Sequence, residues 1–265
     1  MLPRHAFGIT AAARRDAPRL GAAVEGLGYD ELWVNDNRRG DGLTTLTDTA
    51  SGTSALAFGV GVVALSEHTP AEIAERVNAT SLPPERLTLG VGSGSSRSLD
   101  LVREGIGELR RSLPDHPLAV AAIGPRMADL AGEVADAVVA NWALPARLAE
   151  LRELIAAGAA RAGRPPPRLV AYVRTAIGPG AEGRLRDEMD RYARVGAHYA
   201  RAFAAQGGEP IGVAAESADP AELGGALEAY RSVVDTVVVR GLPATDTVDA
   251  WLEIARAAAP SPASG

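Results

Sequence analysis

The segment from Leu56 to Leu65 reads LAFGVGVVAL, and every position in it is apolar or glycine. A strand with one face in water alternates apolar and polar side chains. Unbroken apolarity requires cover on both faces, as for a strand within a parallel sheet. Parallel neighbours need crossover connections, and the chain supplies them. Apolar runs at His5–Thr10, Glu31–Asp36, Leu56–Leu65, Leu87–Val91, Leu118–Ile123, Ala137–Asn141, Leu169–Ile177 and Thr236–Arg240 read as strands. Between them lie segments with helical spacing or helix-end signals: Asp16–Leu27 closed by Gly28, Thr44–Ser51, Pro70–Thr80, Ser98–Leu113, Pro125–Glu133, Pro145–Ala162, Ala181–Gln206, Pro220–Tyr230 and Thr247–Ala259. Eight strands alternating with helices over roughly 250 residues predict an α/β fold, the closed (β/α)8 TIM barrel. An open doubly wound sheet usually has fewer strands. No linker interrupts the alternation, so residues 1–260 are expected to form one domain, with Ser261–Gly265 a disordered tail. The repeat is stretched once, between the seventh and eighth strands.

Missing residue types narrow the chemistry. There is no Cys, which excludes disulfides, thiolate nucleophiles and zinc–thiolate sites. All 27 basic residues are Arg, which removes Schiff-base catalysis and the P-loop lysine. A net charge of −6 argues against a nucleic-acid partner, and Arg14-Arg15 and Arg38-Arg39 read as solvated faces. No apolar run approaches the roughly 18 residues of a membrane span. No apolar leader segment follows Met1. A cytoplasmic enzyme acting on a small-molecule substrate is the expectation, with neither a nucleic-acid nor a membrane partner.

In a barrel of this kind the active site lies at the C-terminal ends of the strands. Strand two ends in Asn35, Asp36 and Asn37; strand three carries Gly59 and Gly61 and leads to Ser66, Glu67 and His68. Strand four runs into Gly92, Ser93, Gly94, Ser95, Ser96 and Arg97, and strand five into Gly124, Pro125, Arg126 and Met127. Glycines ahead of a helix let backbone amides approach an anion. Two such loops on adjacent strands suggest a phosphate-bearing ligand, against the plainer reading of tight βα turns. Gly59 and Gly61 admit close approach either of a ligand or of a barrel neighbour. Asp36 reads as an acid/base group, a ligand acceptor, or a helix cap or arginine partner. Trp33 reads as core, and Trp142 as either lining the mouth or packing under a loop. His5, His68, His116 and His198 are scattered and give no metal constellation.

Three segments together resemble the bacterial-luciferase-like oxidoreductase family: Gly26 to Asp36 (GLGYDELWVND), Leu89 to Gly94 (LGVGSG), and Ala121 to Asp136 (AAIGPRMADLAGEVAD), continued by Asn141-Trp142. The branch most resembled uses the deazaflavin coenzyme F420 and includes methylene-tetrahydromethanopterin reductase; FMN-dependent monooxygenases are more distant relatives.

The resemblance implies a TIM-like barrel, with hydride transfer between F420 and a small organic substrate. It places the cofactor ring against a bulge in strand three, where family members often have a non-prolyl cis peptide; the matching bond is Gly61–Val62. It assigns cofactor contacts to Asp36, Gly61, Val62, Gly92, Ser93, Gly94, Ala122, Gly124, Pro125, Arg126 and Met127, with Asp36 also the candidate catalytic residue. It further implies a homodimer. The chain departs from the pattern in three places. Asn37 stands where the family has histidine, the first strand ends in Thr10 without a following glutamate, and His68-Thr69-Pro70 is shifted by one. FMN-dependent monooxygenation and a non-catalytic cofactor-binding relative are the alternative readings.

Overall fold

The computed structural model describes residues 4–11, 16–36 and 40–260. Arg14-Arg15, Asn37, Arg38-Arg39 and the segment 261–265 lie outside the described residues. The elements run β1 (Arg4–Thr10), α1 (Ala17–Gly26), β2 (Glu31–Asn35), α2 (Gly42–Ala50), β3 (Ala57–Ala64), α3 (Pro70–Asn78), β4 (Leu87–Gly92), α4 (Leu99–Ser112), β5 (Leu118–Ala122), α5 (Pro125–Val134), β6 (Ala137–Asn141), α6 (Pro145–Arg161), β7 (Arg168–Ile177), α7 (Ala181–Val195), α8 (Ala197–Ala204), β8 (Val213–Ala215), α9 (Pro220–Arg231), β9 (Thr236–Gly241) and α10 (Val248–Ala257).

The strands form one parallel sheet in the order β6-β5-β4-β3-β2-β1-β9-β7, and β6 pairs with β7 to close it. Eight strands therefore make the barrel, as the alternation predicts. Two expectations are corrected. The eighth barrel strand is the ninth in the chain, because Val213–Ala215 forms an additional short strand. It pairs with Thr175–Ile177 of β7, beyond the point where β6 ends opposite Tyr172. The helical stretch Ala181–Gln206 is two helices, broken where Gly196 adopts an extended backbone (φ −169°, ψ 135°).

The period-two alternation of each strand sorts its residues onto two faces. Phe7, Ile9, Leu32, Val34, Phe58, Val60, Leu89 and Val91 point outward and pack with the helices. Ala6, Trp33, Ala119, Val139, Val170, Tyr172 and Val238 form a separate cluster inside the barrel. Trp33 and Tyr172 meet edge-on, 5.9 Å between ring centroids at 86°, a geometry worth about 0.5–1.5 kcal/mol beyond burial. Gly59 serves this packing: a Cβ there would overlap the Trp33 indole. Trp33 is thus core.

The lower end of the barrel is plugged by charge. Glu31, 2% exposed, pairs with Arg168 and with Arg4 (2.9 Å) and accepts a hydrogen bond from the Trp33 indole N–H (2.7 Å). Each of these three charged residues opens a strand, so the plug ties β1, β2 and β7 together. Burial pushes the Glu31 carboxyl up, but the Arg168 guanidinium and the hydrogen bonds outweigh it and hold it below the ordinary value. Among the described residues, no helix is long and apolar enough to cross a membrane.

Candidate active site

The C-terminal strand ends form a mouth with two unlike halves. On the β2–β5 side the register of β3 against β4 slips between Val60 and Val63, a bulge, and the Gly61–Val62 peptide bond is cis. Both features stand where the family resemblance puts them. The bulge turns Val62 over β4, where Cβ atoms on Gly90 and Gly92 would lie 2.9 and 3.1 Å from its methyl groups. A Cβ on Gly61 would overlap the Tyr172 hydroxyl. Small residues therefore admit large ones across the bore, and Gly61 and Val62 stay half-buried.

Beyond β4 the loop turns through Ser93 into a single 3-10 turn at Gly94–Ser96. Gly94 has φ +59°, and a Cβ on it would collide with Ser66, whose hydroxyl accepts from the Ser95 amide at 3.1 Å. Gly94 is thus used for close packing against the β3 loop. At the end of β5, beyond the buried Ala122, the α5 N-terminus is built differently. Gly124 is extended, Pro125 opens the helix, and no side chain caps it. No atom lies within 4 Å of a Cβ built on Gly124. Pro125 and Arg126 are exposed and Met127 is half-buried. The first turn of α5 thus presents its amides without a side-chain cap, beside the exposed Arg126 guanidinium, groups of the kind that attract an anion.

Asp36 lies just past β2 with its side chain 9% exposed. Its Oδ1 accepts from the Gly42 amide (2.8 Å) and from Arg76 Nη2 (3.0 Å). Arg76 also reaches Asp41 Oδ1 at 3.1 Å, and Asp41 caps α2 through the Thr44 amide (3.0 Å). Burial works against the Arg76 charge, and the two carboxylates outweigh it and raise its pKa. Asp36 therefore pins the end of β2 to α2 and α3 at the rim of the mouth.

The opposite half, over β6, β7 and β9, is covered by the stretched insertion. Trp142, in the left-handed region (φ 57°) just after β6, packs edge-on against Tyr192 of α7 (5.1 Å) and Phe203 of α8 (5.4 Å). Gln206 fixes it by donating to the Trp142 carbonyl (3.0 Å) and accepting from the Leu144 amide (2.8 Å). The Arg174 guanidinium stacks 4.3 Å from the Trp142 ring centroid. Trp142 thus packs beneath α7 and α8.

Sequence reasoning missed Arg174 and Tyr172 of β7. Arg168, Val170, Tyr172 and Arg174 alternate along β7 and all face inward; two charges at even spacing in a strand with both faces covered was the available signal. Among the described residues there is no cluster of ligating side chains fit for a metal.

A family model described as luciferase-like monooxygenase matches residues 1–100 and 99–242. A 5,10-methylenetetrahydromethanopterin reductase from Methanolobus tindarius is 29% identical over 180 residues, covering 54% of this chain and 55% of that one. The chain therefore aligns with about half the length of that relative. An F420-dependent secondary alcohol dehydrogenase in complex with an F420–acetone adduct superposes with TM-score 0.74 at 15% identity, over 97% of this chain and 99% of that one. The F420-dependent tetrahydromethanopterin reductase from Methanopyrus kandleri gives 0.71 at 16%, over 96% and 97%. The FMN-bound oxygenating constituent of 3,6-diketocamphane monooxygenase from Pseudomonas putida gives 0.68 at 13%, over 98% and 97%. At these identities the superpositions establish the shared barrel.

Proposed function

The chain belongs to the luciferase-like monooxygenase family, and we propose that it is an oxidoreductase that transfers hydride between the deazaflavin F420 and a small organic substrate. The observation that carries the reading is the open half of the mouth, which runs from the small-residue bulge of β3 to the uncapped start of α5. The names of the methylenetetrahydromethanopterin reductase relative and of two F420-dependent structural neighbours favour F420 over FMN.

The residues present fit such a cofactor. Gly61 and Val62 offer a narrow, largely apolar floor for a flat ring, with Gly92 leaving room beside Val62. Ser93 and Gly94 form the wall beyond β4, and Gly124 to Met127 offer free space, amides and the Arg126 charge to a phosphate. Ala122, expected at the cofactor from the resemblance, instead faces the helices with Leu118 and Val120 and is buried there. When bound, the deazaflavin supplies the hydride acceptor or donor. The protein's own part is to orient the reacting carbon and exclude water, the latter falling to α7 and α8. Asp36 acts as a positioning residue: through Gly42 and Arg76 it sets the rim beside the ring.

Titration of the purified protein with oxidised F420, and separately with FMN, followed by fluorescence quenching, tests the reading. Tight F420 binding with weak FMN binding is expected, together with substrate-dependent bleaching of the bound deazaflavin. The FMN-bound neighbour supports a second reading, an FMN-dependent monooxygenase, which predicts the opposite preference. Binding without hydride exchange would indicate a non-catalytic relative.

A further inference from the structure

Arg174 and Arg240 hold paired positions on β7 and β9, inside the covered half of the mouth, where they are 2% and 6% exposed. Neither is ion-paired among the described residues. Arg174 donates to the Asn141 side-chain oxygen and to Tyr192 Oη (3.2 Å). Arg240 donates to Asn35 Oδ1 (2.8 Å) and to the Gly241 carbonyl. All four acceptors are neutral. The acids within reach are committed elsewhere: Glu188 pairs with Arg191 at 2.7 Å, and Glu31 pairs with Arg4 and Arg168 at the other end of the bore. Burial and the neighbouring Arg174 charge depress the pKa of Arg240, outweighing the opposite pull of Tyr192, Glu188 and Tyr172. Two adjacent buried guanidinium groups with no carboxylate paired directly to either are costly unless something else compensates them. Two further polar atoms, Arg174 Nε and the Tyr172 hydroxyl, are buried with no hydrogen-bond partner. Tyr172 shares the inward face of β7 with Arg174, and its hydroxyl touches Gly61.

The outer cleft between α4 and α5 shows the contrast. It measures about 480 Å³ and is also arginine-lined, but Arg103, Arg110 and Arg164 there are each matched by Glu133 or Asp136.

We propose that Arg174, Arg240 and Tyr172 form a binding site for an oxyanion, a carboxylate or phosphate group, carried by the substrate. Planar guanidinium groups suit both oxyanions through paired N–H donors, and the Tyr172 hydroxyl adds a donor on the side of Gly61. An acid held there lies under α7 and α8 with its remainder directed to the β3 bulge. The substrate assignment rests on the oxidoreductase reading; binding of the oxyanion does not.

The test uses the full chain, with sodium acetate and sodium phosphate as separate probes at constant ionic strength made up with sodium chloride. Thermal stability and tryptophan fluorescence are read, Trp142 lying against Arg174. A saturable Tm rise of about 3–6 °C at ten times the dissociation constant is expected from at least one probe, and the preferred probe tells carboxylate from phosphate. Arg240→Gln and Arg174→Gln should each weaken that response at least tenfold. Tyr172→Phe should weaken it severalfold and serves if either arginine variant fails to fold. No saturable response in the unmodified protein, or a response that survives these substitutions, overturns the site. With F420 bound, an unchanged anion response supports a substrate group, and competition overturns that assignment. Anion binding with neither F420 nor FMN bound would overturn the oxidoreductase reading while supporting the oxyanion site.

Discussion

The hydroxyl of Tyr172 rests directly on the Cα of Gly61, so that a strand-seven aromatic and a strand-three glycine share one space in the bore. The contact places the ring of Tyr172 beneath the bulge where the cofactor site is proposed, and it makes Gly61 intolerant of any side chain. Gly61→Ala should cost about 1–3 kcal/mol, the range for overpacking a close-packed interior, and should weaken F420 binding at least tenfold. Chemical denaturation and the fluorescence titration read the two effects. In a Tyr172→Leu background, which removes the atoms in the way, the same substitution should cost less than half as much. An undiminished cost in the double variant would separate the two residues.

Arg126 offers the opposite case, a residue whose loss should touch binding alone. It is exposed at the start of α5, and its side chain makes no hydrogen bond or ion pair with the described residues. Arg126→Ala should leave stability within about 0.5 kcal/mol. It should weaken F420 by about 1.5–3 kcal/mol, the worth of a charged hydrogen bond to phosphate. Unaltered affinity would remove Arg126 from the site and shift the weight to the Gly124 and Met127 amides.

Local signals made the barrel legible, and the site residues that went unread depend on signals that are not local. Leu56–Leu65 could be read as a covered strand because all its information lies within the run. Val213–Ala215 has three residues and no apolar period, so nothing local separates it from a turn. The break at Gly196 sits in a stretch whose spacing on both sides is helical. Asp36 was legible as a strand-end acid, but Arg76 is forty positions away and meets it only because the barrel brings the last turn of α3 to the end of β2. Arg174 and Arg240 become a pair only through the register of β7 on β9, which no single-chain pattern reveals. Gly61–Val62 was reached through resemblance; the residues alone left ligand and packing roles open.

The Asp36–Arg76 pair predicts a shared phenotype. The carboxylate is nearly buried and the guanidinium about a quarter exposed (side chains 9% and 24%), so solvent screens the attraction in part. Asp36→Asn keeps an acceptor for the Gly42 amide and loses the charge, at a cost of about 1–2 kcal/mol. Arg76→Met should match it in stability and lower F420 affinity by a similar factor, since both loosen the rim. If Asp36→Asn instead abolishes hydride exchange while Arg76→Met leaves it intact, Asp36 acts on the reacting atoms directly and not by positioning.

The charged plug at the lower end of the barrel sets the acid limit of the fold. The Glu31 carboxyl titrates below its ordinary value of 4.5 in the folded protein. A depressed acid contributes stability that is fully present above the unfolded-state value and is lost as pH falls through the folded-state value. Urea unfolding at pH 7 should therefore show the full contribution, with loss beginning only below about pH 4.5. Glu31→Gln removes the partner of Arg168 and should cost about 1–3 kcal/mol at pH 7, less than a fully buried pair because Arg4 and Arg168 retain solvent contact. The gap between the two proteins should narrow steadily towards pH 3, as protonation of Glu31 makes the parent resemble the variant. A gap that stays constant over that range would mean that the plug holds through packing and hydrogen bonds, independent of the Glu31 charge.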